Sequence, residues 1–108
     1  MNLPTEVFGD VVVVHTPEEI GQEQSVQIRE YLTTLERSKV VVDLDGTESI
    51  DSAGLSAFLD AQDAIREVRG DIKISTANTA NQNILKITRL DKQLEVFDSV
   101  VDAVKSFS

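Results

Sequence analysis

The stretch that decides the fold reads VVVDLDGTESIDSAGL and occupies residues 40–55. It opens with three consecutive valines, and β-branched residues without polar alternation are typical of a strand that is covered on both faces inside a parallel sheet. A polar connection follows at residues 45–50. Asp51 and Ser52 are both suitable helix caps, and the apolar residues after them keep helical spacing. The stretch therefore predicts a central strand, a loop and a helix in succession.

The rest of the chain alternates between strand and helix patterns. A hairpin is predicted around Gly9-Asp10, because this turn pair separates two short runs with strand character. An amphipathic helix is predicted to run to about Ser38, since apolar residues from Ile28 to Leu35 recur at i, i+3, i+4 and i+7. Further strands are predicted near residues 72–74 and 94–97, and further helices at 78–88 and from 99 onward. This alternation predicts a single α/β domain with a mostly parallel sheet of four or five strands and packed helices.

Capping chemistry predicts two helix boundaries. The run TPEE at residues 16–19 combines a capping hydroxyl, a proline at the first helical position and a carboxylate three residues past the cap, which predicts a helix start. Gly21 is expected to divide that helix into a turn and a main body. Gly70 is predicted to end the helix that begins in the 40–55 stretch, because glycine commonly follows a helix C-terminus.

The composition excludes several classes of function. The 108 residues contain no cysteine, which rules out disulfides, thiolate metal sites and cysteine nucleophiles. The net charge of −9, from 19 acidic and 10 basic side chains, repels phosphate backbones and anionic lipids, so we expect no direct binding to nucleic acid or membrane. The longest aliphatic run, at residues 11–14, is far shorter than a membrane span, and we expect the chain in the cytoplasm. The acidity fits plain solubility as well as an acidic face that meets a basic partner.

Residues 43–47 read DLDGT, which matches the signature that opens the haloacid dehalogenase phosphatases. In those enzymes the first aspartate, Asp43 here, attacks phosphorus, and the second, Asp45 here, acts as acid and base beside Mg²⁺. There, however, the motif lies on the first strand of a larger core, whereas here only 61 residues follow Thr47. No acidic pair on a later strand completes a Mg²⁺ site. We therefore expect no enzyme activity, no catalytic residue, no metal and no cofactor.

The same residues in a longer window resemble another family. In the STAS family, the sulfate transporter and anti-sigma factor antagonist domains, an apolar strand ends in Asp-Leu and a short connection leads to Asp-Ser-x-Gly-Leu at a helix start. Residues 40–55 match this motif without a gap. The resemblance continues to about residue 105, although Arg89 stands where the family has a glycine. It implies a single STAS-like domain over residues 1–108, with Val41 and Leu59 buried and Ser52 exposed.

The resemblance to the anti-sigma factor antagonists implies a switch. Those proteins bind an anti-sigma factor that is also a serine kinase and so free the sigma factor, until phosphorylation of the motif serine ends the binding. By that match the phosphorylated residue is Ser52, and a separate serine phosphatase resets the chain. The chain is then a ligand and substrate of other proteins in transcription regulation, rather than an enzyme. The implied partner-binding residues are those of the motif: Asp51, Ser52, Ala53, Gly54 and Leu55.

The N-terminal part departs from the family pattern. Members carry Gly-x-Leu-Asp, or something near it, after the second strand, and by spacing the run EEIG at residues 18–21 stands there. That aspartate helps to contact the anti-sigma factor in the antagonists. Its absence bears on the identity of the partner rather than on the fold.

Structural roles compete with the functional ones for the same residues. The Ser52 hydroxyl can cap the helix, which stabilises it by about 1 kcal/mol, and still be phosphorylated. Gly54 suits close packing of the helix on a strand, Leu55 suits the core, and Asp51 suits the positive end of the helix dipole. A sensory or scaffold module, which binds a small ligand or assembles a signalling complex, is the rival function for this fold. His15, the only histidine, has no supporting residues in the sequence that predict a metal site or a Ser-His pair.

Overall fold

A five-stranded sheet forms the centre of the protein, which a computed structural model describes from Met1 to Ser108. A separate pair of two-residue strands and four α-helices accompany it, and no helix has the length and apolar character that a bilayer crossing requires. Numbered along the chain, the strands are β1 (Thr5–Phe8), β2 (Val11–His15), β3 (Glu19–Ile20), β4 (Lys39–Asp43), β5 (Ser49–Ile50), β6 (Asp71–Ser75) and β7 (Val96–Phe97). The helices are α1 (Gln22–Thr33), α2 (Ser52–Glu67), α3 (Thr79–Ile87) and α4 (Val100–Lys105), with a short 3-10 helix at Leu90–Lys92.

The main sheet has the strand order β1-β2-β4-β6-β7, and every neighbouring pair except β1 with β2 is parallel. The antiparallel pair is the hairpin predicted around Gly9-Asp10. β4 is the predicted central strand, and its Val41 lies between Val13 on β2 and Lys73 on β6. The prediction of an α/β domain with a mostly parallel sheet is confirmed.

The two faces of the sheet explain why the central strand is a run of valines. Val40 and Val42 belong to a core of 18 buried side chains that also includes the inner faces of α1, α2 and α3. Val41 packs on the opposite face, with Ala103 of α4, in a smaller cluster of four. The middle of the strand therefore has no solvent side, which is why polar alternation is missing. Val41 is buried as predicted, whereas Leu59 is only half-buried against the core.

The helix predicted to begin at Thr16 begins instead at Gln22, with Gly21 as its N-cap. Thr16 is buried, and its hydroxyl donates to the backbone carbonyl of Asp43 at 3.0 Å rather than capping a helix. The following backbone stays extended and forms β3, because the carbonyl of Glu18 accepts hydrogen bonds from two backbone N–H groups at the approach to β5. Long-range pairing thus overrides the local capping signal.

Both long helices end earlier than predicted. α1 ends at Thr33 rather than near Ser38. α2 ends at Glu67, before the predicted end at Gly70, and the left-handed residue that follows the helix is Arg69, with φ of +65°. Gly70 is required for a different reason, because a β-carbon on it would lie 2.2 Å from the carbonyl oxygen of Ser38.

Arg89 has a strained backbone that a glycine would relieve. Its φ is +60°, a left-handed conformation that costs a residue with a β-carbon about 1 kcal/mol or more. We expect Arg89→Gly to raise the free energy of unfolding by about 0.5–1 kcal/mol, as measured by urea denaturation. Arg89→Ala is the control, because it removes the same charge and keeps a β-carbon. Equal gains in the two variants would contradict the conformational explanation.

Candidate functional site

Ser52 is the first residue of α2, and its side chain is exposed, as predicted. The cap of the helix is its neighbour: Asp51 Oδ1 accepts a hydrogen bond from the backbone N–H of Gly54 at 3.0 Å. Of the two caps that the sequence allowed, the structure uses Asp51. The Ser52 hydroxyl takes no part in the cap and faces solvent.

The Asp51 side chain also links the N-termini of two helices, α2 and α1, by hydrogen bonds. Its second carboxylate oxygen, Oδ2, accepts from the backbone N–H of Gln22 at 3.2 Å, in the first turn of α1. Gly21, the N-cap of α1, has no side chain for this purpose, and a β-carbon on it would lie 3.2 Å from the same Oδ2. One carboxylate therefore serves the positive ends of both helix dipoles and holds α1 beside Ser52.

The pair of short strands fixes this arrangement. β3 and β5 are parallel, with Ile20 beside Ile50, and the backbone N–H of Asp51 donates to the carbonyl oxygen of Ile20 at 3.1 Å. Gly54 packs against the same residue, because a β-carbon on it would lie 2.6 Å from Ile20 Cγ2. The close packing of helix on strand that Gly54 suggested is present, and the strand is β3.

The five motif residues divide into exposed and buried ones. Asp51 and Ser52 are exposed and Ala53 is half-buried, whereas Gly54 and Leu55 are buried. Leu55 belongs to the main core, so packing accounts for it. The first three motif residues are therefore accessible at the surface, and the last two fix the position of the helix.

A shallow groove between α1 and α2 extends from the Ser52 surface. Its volume is about 250 Å³, and its apolar lining consists of Val26 on α1 with Ala53 and Ala57 on α2. Val26 is 53% exposed. Sequence reasoning missed it, because Val26 lies outside the helical periodicity that marked the buried face of α1. The polar lining of this α1–α2 groove consists of Ser25, Arg29, Ser56 and Asp60.

The end of the sheet that carries Ser52 is acidic. Residues 1–28 and 40–65 contain no lysine or arginine, and these segments supply the loops and helix starts at this end of the sheet. Five exposed carboxylates at this end form no salt bridge within the chain. We call this set the acidic rim, and it consists of Glu18, Glu19, Glu23, Glu48 and Asp51.

Of the two aspartates of the DLDGT run, Asp43 is the last residue of β4 and Asp45 lies in the loop that follows. Asp43 Oδ1 accepts from the backbone N–H of Asp45 at 3.0 Å, and Asp45 Oδ1 accepts from the backbone N–H of Ala77 at 2.7 Å. The Thr47 hydroxyl donates to the carbonyl oxygen of Pro17 at 2.6 Å. These bonds shape the connection that leads to Ser52, and the chain contains no cluster of three side chains suited to hold a metal ion.

His15, at the end of β2, lies between two carboxylates that the sequence did not predict. Its Nδ1 is 2.8 Å from Asp43 Oδ2, and its Nε2 is 2.6 Å from Glu6 Oε1. The register explains these contacts, because Asp43 is the partner of His15 in the parallel pair and Glu6 lies on the adjacent antiparallel strand. Both ring nitrogens can donate at once only in the imidazolium form, so the cluster favours a charged His15.

The His15 cluster makes the stability of the domain depend on pH. Burial by itself lowers the pKa of His15, but hydrogen bonds to Glu6 and Asp43 and their charges outweigh it, and the pKa is raised above its ordinary 6.5. A histidine with a raised folded-state pKa stabilises the fold fully below its unfolded pKa, and this stabilisation is lost as the pH rises through the folded pKa.

We expect the wild type to be more stable than His15→Gln by about 1 kcal/mol in mild acid, and the difference to disappear in mild alkali. Urea denaturation of both proteins from about pH 5.5 to about pH 9 measures it. Because His15 is the only histidine, its NMR titration reports the folded pKa without assignment work. Parallel stability profiles for the two proteins would contradict this account.

A family model for the STAS domain matches residues 2–103. A protein of Thermotoga neapolitana that is named as a candidate anti-sigma factor antagonist is 23% identical over 106 residues, which cover 94% of each chain. The crystal structure of a candidate antagonist from Thermotoga maritima has a TM-score of 0.84 at 21% identity, covering 96% of this chain and 92% of that chain. The phosphorylated form of the Bacillus cell fate determinant SpoIIAA has a TM-score of 0.72 at 15% identity, covering 99% of this chain and 100% of that chain. At these identities the structural likeness establishes a shared fold.

Proposed function

This chain belongs to the STAS domain family, and we propose that it acts as an anti-sigma factor antagonist whose binding is switched by phosphorylation of Ser52. Relatives that share its fold carry the name of anti-sigma factor antagonist. In the proposed cycle, the unmodified chain holds an anti-sigma factor that is also a serine kinase, and the sigma factor is released for transcription. Phosphate on Ser52 ends the binding. A serine phosphatase then resets the chain, and the cycle runs in the cytoplasm.

One observation carries this proposal: Ser52 is exposed at the first position of α2, while the neighbouring Asp51 caps the helix. A serine that served as the cap would have to give up a hydrogen bond that contributes about 1 kcal/mol before its hydroxyl could react. Ser52 has no such role. Its hydroxyl is therefore available as the nucleophile for phosphoryl transfer by a kinase, and the helix keeps its cap.

A phosphate on Ser52 is compatible with the folded domain. The group adds about −1.5 to −2 charges at neutral pH, and an anion at a helix N-terminus is favoured by about 0.3–1 kcal/mol. The charge of Asp51 opposes it, but both side chains face water, where salt screens the repulsion. We therefore expect the phosphate to act on the partner and to leave the fold intact.

The hydrogen bonds of Asp43 and Asp45 support the proposal that this chain has no catalytic activity of its own. Asp43 and Asp45 are both engaged by backbone N–H groups, and Asp43 is also engaged by His15. A nucleophilic carboxylate would have to leave these partners before it could attack a phosphate ester. The antagonists of the STAS family are generally not enzymes, and we propose the same for this chain.

A sensor of small molecules is the second candidate function for this fold. Pockets for small molecules usually have volumes of about 300–1,000 Å³. Three surface cavities of this domain each measure about 250–260 Å³ and are open to solvent. These dimensions favour a protein-binding role over a ligand-binding one.

The test is capture of partners from native cytoplasm by tagged wild type, Ser52→Ala and Ser52→Asp. Wild type and Ser52→Ala should retain an anti-sigma factor, and Ser52→Asp should lose most of it. Mass spectrometry of the chain isolated from cells should locate a single phosphoserine, at Ser52. If the wild type retains no anti-sigma factor, or if Ser52→Asp retains it undiminished, the proposed function is wrong.

Thr79→Asp is the matched control for this test. Thr79 is the first residue of α3, it is exposed, and the helix is capped by its neighbour Asn78, so its position repeats that of Ser52 on another helix. Retention by Thr79→Asp together with loss from Ser52→Asp assigns the effect to the Ser52 surface. Loss from both variants would attribute it to added charge at any helix start.

A further inference from the structure

We propose that the partner docks with a positively charged surface on the acidic rim and inserts one apolar side chain into the α1–α2 groove beside Ser52. This inference rests on the proposed function and specifies what the partner must look like. The occupant of the groove is a side chain of the anti-sigma factor, flanked on that protein by lysine or arginine.

The groove begins beside Ser52, because Ala53, the next residue of α2, lines it. Ser52, Ser56 and Asp60 are spaced at i, i+4 and i+8 along α2, and all three are exposed. Ser56 and Asp60 line the groove, as do Ala53, next to the serine, and Val26 on the facing helix. A protein that covers Ser52 therefore also covers the groove, and its approach removes the exposed methyl groups of Val26 from water.

The lining of the groove selects the kind of side chain that fills it. Its apolar lining consists of the methyl groups of Val26, Ala53 and Ala57, so an apolar side chain placed over them is removed from water together with them. At the edge, Arg29 and Asp60 form no salt bridge within the chain. They remain free to pair with charged groups that flank the apolar side chain of the partner.

The charge distribution around the groove predicts that the docking surface of the partner is positively charged. The five carboxylates of the acidic rim are exposed and form no salt bridge within the chain, and Arg29 is the only basic residue that lines the groove. A surface of one sign around a binding site repels partners of the same sign, and it speeds association with the opposite sign by about 10- to 1,000-fold at low salt. Four basic residues lie instead near the far ends of α1 and α2 and at the start of β4: Arg37, Lys39, Arg66 and Arg69.

This arrangement determines how a phosphate on Ser52 can act. Toward a basic partner, added negative charge is attractive at long range, so phosphorylation cannot break the complex by charge repulsion. The loss must arise at close range, where the phosphate has to be stripped of water and separates the partner from Ala53 and Val26. Phosphorylation should therefore speed dissociation without slowing association.

The experiment measures association and dissociation rates of the purified anti-sigma factor that wild-type capture identifies, at several salt concentrations. Val26→Ala should weaken binding about tenfold through faster dissociation, because two buried methyl groups are lost. Val101→Ala is its control and should bind as the wild type does, since Val101 is 59% exposed on α4, away from the groove. Glu23→Lys should slow association and reduce its salt dependence, whereas Glu67→Lys, at the far end of α2, should do neither.

The outcomes separate this inference from the function on which it rests. If Ser52→Asp loses binding while Val26→Ala and Glu23→Lys bind as the wild type does, the antagonist function stands and the docking mode is wrong. Association rates that do not change with salt concentration would contradict the inference that the partner docks with a basic surface. If the wild type binds no anti-sigma factor, both the function and the docking mode are wrong. Thermal melts of each variant exclude unfolding as the cause of any loss.

Discussion

Phosphorylation of Ser52 is expected to weaken binding of the anti-sigma factor by about a hundredfold or more, with the melting temperature of the domain nearly unchanged. The physical reason is desolvation. A partner that covers the start of α2 strips water from a near-dianion at a cost of several kcal/mol, and about 1.4 kcal/mol corresponds to tenfold in affinity. The exposed position of Ser52 and the cap that Asp51 provides keep the phosphate from disturbing the helix.

Calorimetric titration of the purified partner into phosphorylated, unmodified, Ser52→Asp and Ser52→Ala protein measures this effect. The aspartate carries one charge and has a shorter reach, so it should reproduce part of the loss, and the alanine variant should bind as the unmodified chain does. Thermal melts of all four forms accompany the titrations. Equal affinity of the phosphorylated and unmodified forms, or a loss of affinity that accompanies unfolding, would show that the switch mechanism is wrong.

Replacing Gly54 by alanine is expected to destabilise the domain by about 2–4 kcal/mol, although alanine is the better helix former. The new β-carbon would lie 2.6 Å from Ile20 Cγ2 and 2.7 Å from the carbonyl oxygen of Ile20. Ile20 cannot retreat, because it is buried, and its carbonyl accepts a hydrogen bond from Asp51 while β3 pairs with β5. α2 must therefore shift away from the core, and each kcal/mol lost should lower the melting temperature by about 4 °C or more.

Gly46→Ala is the control for this substitution. A β-carbon on Gly46 would meet only the carbonyl oxygen of Thr16, at an ordinary contact distance of 3.7 Å. We expect a change in the free energy of unfolding within about 0.5 kcal/mol. Gly54→Ala with the melting temperature of the wild type would contradict the close packing of α2 on β3.

The fold was predictable where the decisive signals are local. Three adjacent valines require cover on both faces whatever lies elsewhere in the chain, and the two clusters that enclose Val40 and Val41 provide it. The turn pair Gly9-Asp10 produces the hairpin through its own backbone preferences, with Gly9 at a φ of +63°. The same holds for the exposed Ser52, which follows from the start of a helix in a known motif.

Features that depend on pairing between distant segments were not predictable. Thr16 carries a helix-start signal, but its hydroxyl is used by Asp43, 27 residues away. The His15 cluster and the second hydrogen bond of Asp51 join residues 28 and 29 positions apart. Each requires the register of two strands to be known first. Side chains alternate between the two faces of a strand, so an error of one residue in the register would place each of them on the wrong face.

The pair of short strands, β3 and β5, is held by fewer hydrogen-bonded residue pairs than the main sheet. β4 is held by five residue pairs on each side, whereas β3 and β5 share only two pairs. In native-state hydrogen exchange, the amides of β4 should exchange only through global unfolding, and that of Asp51, which bonds to Ile20, through a local opening of lower free energy. An enzyme that must draw Ser52 into an extended segment has this opening available while the main sheet stays folded.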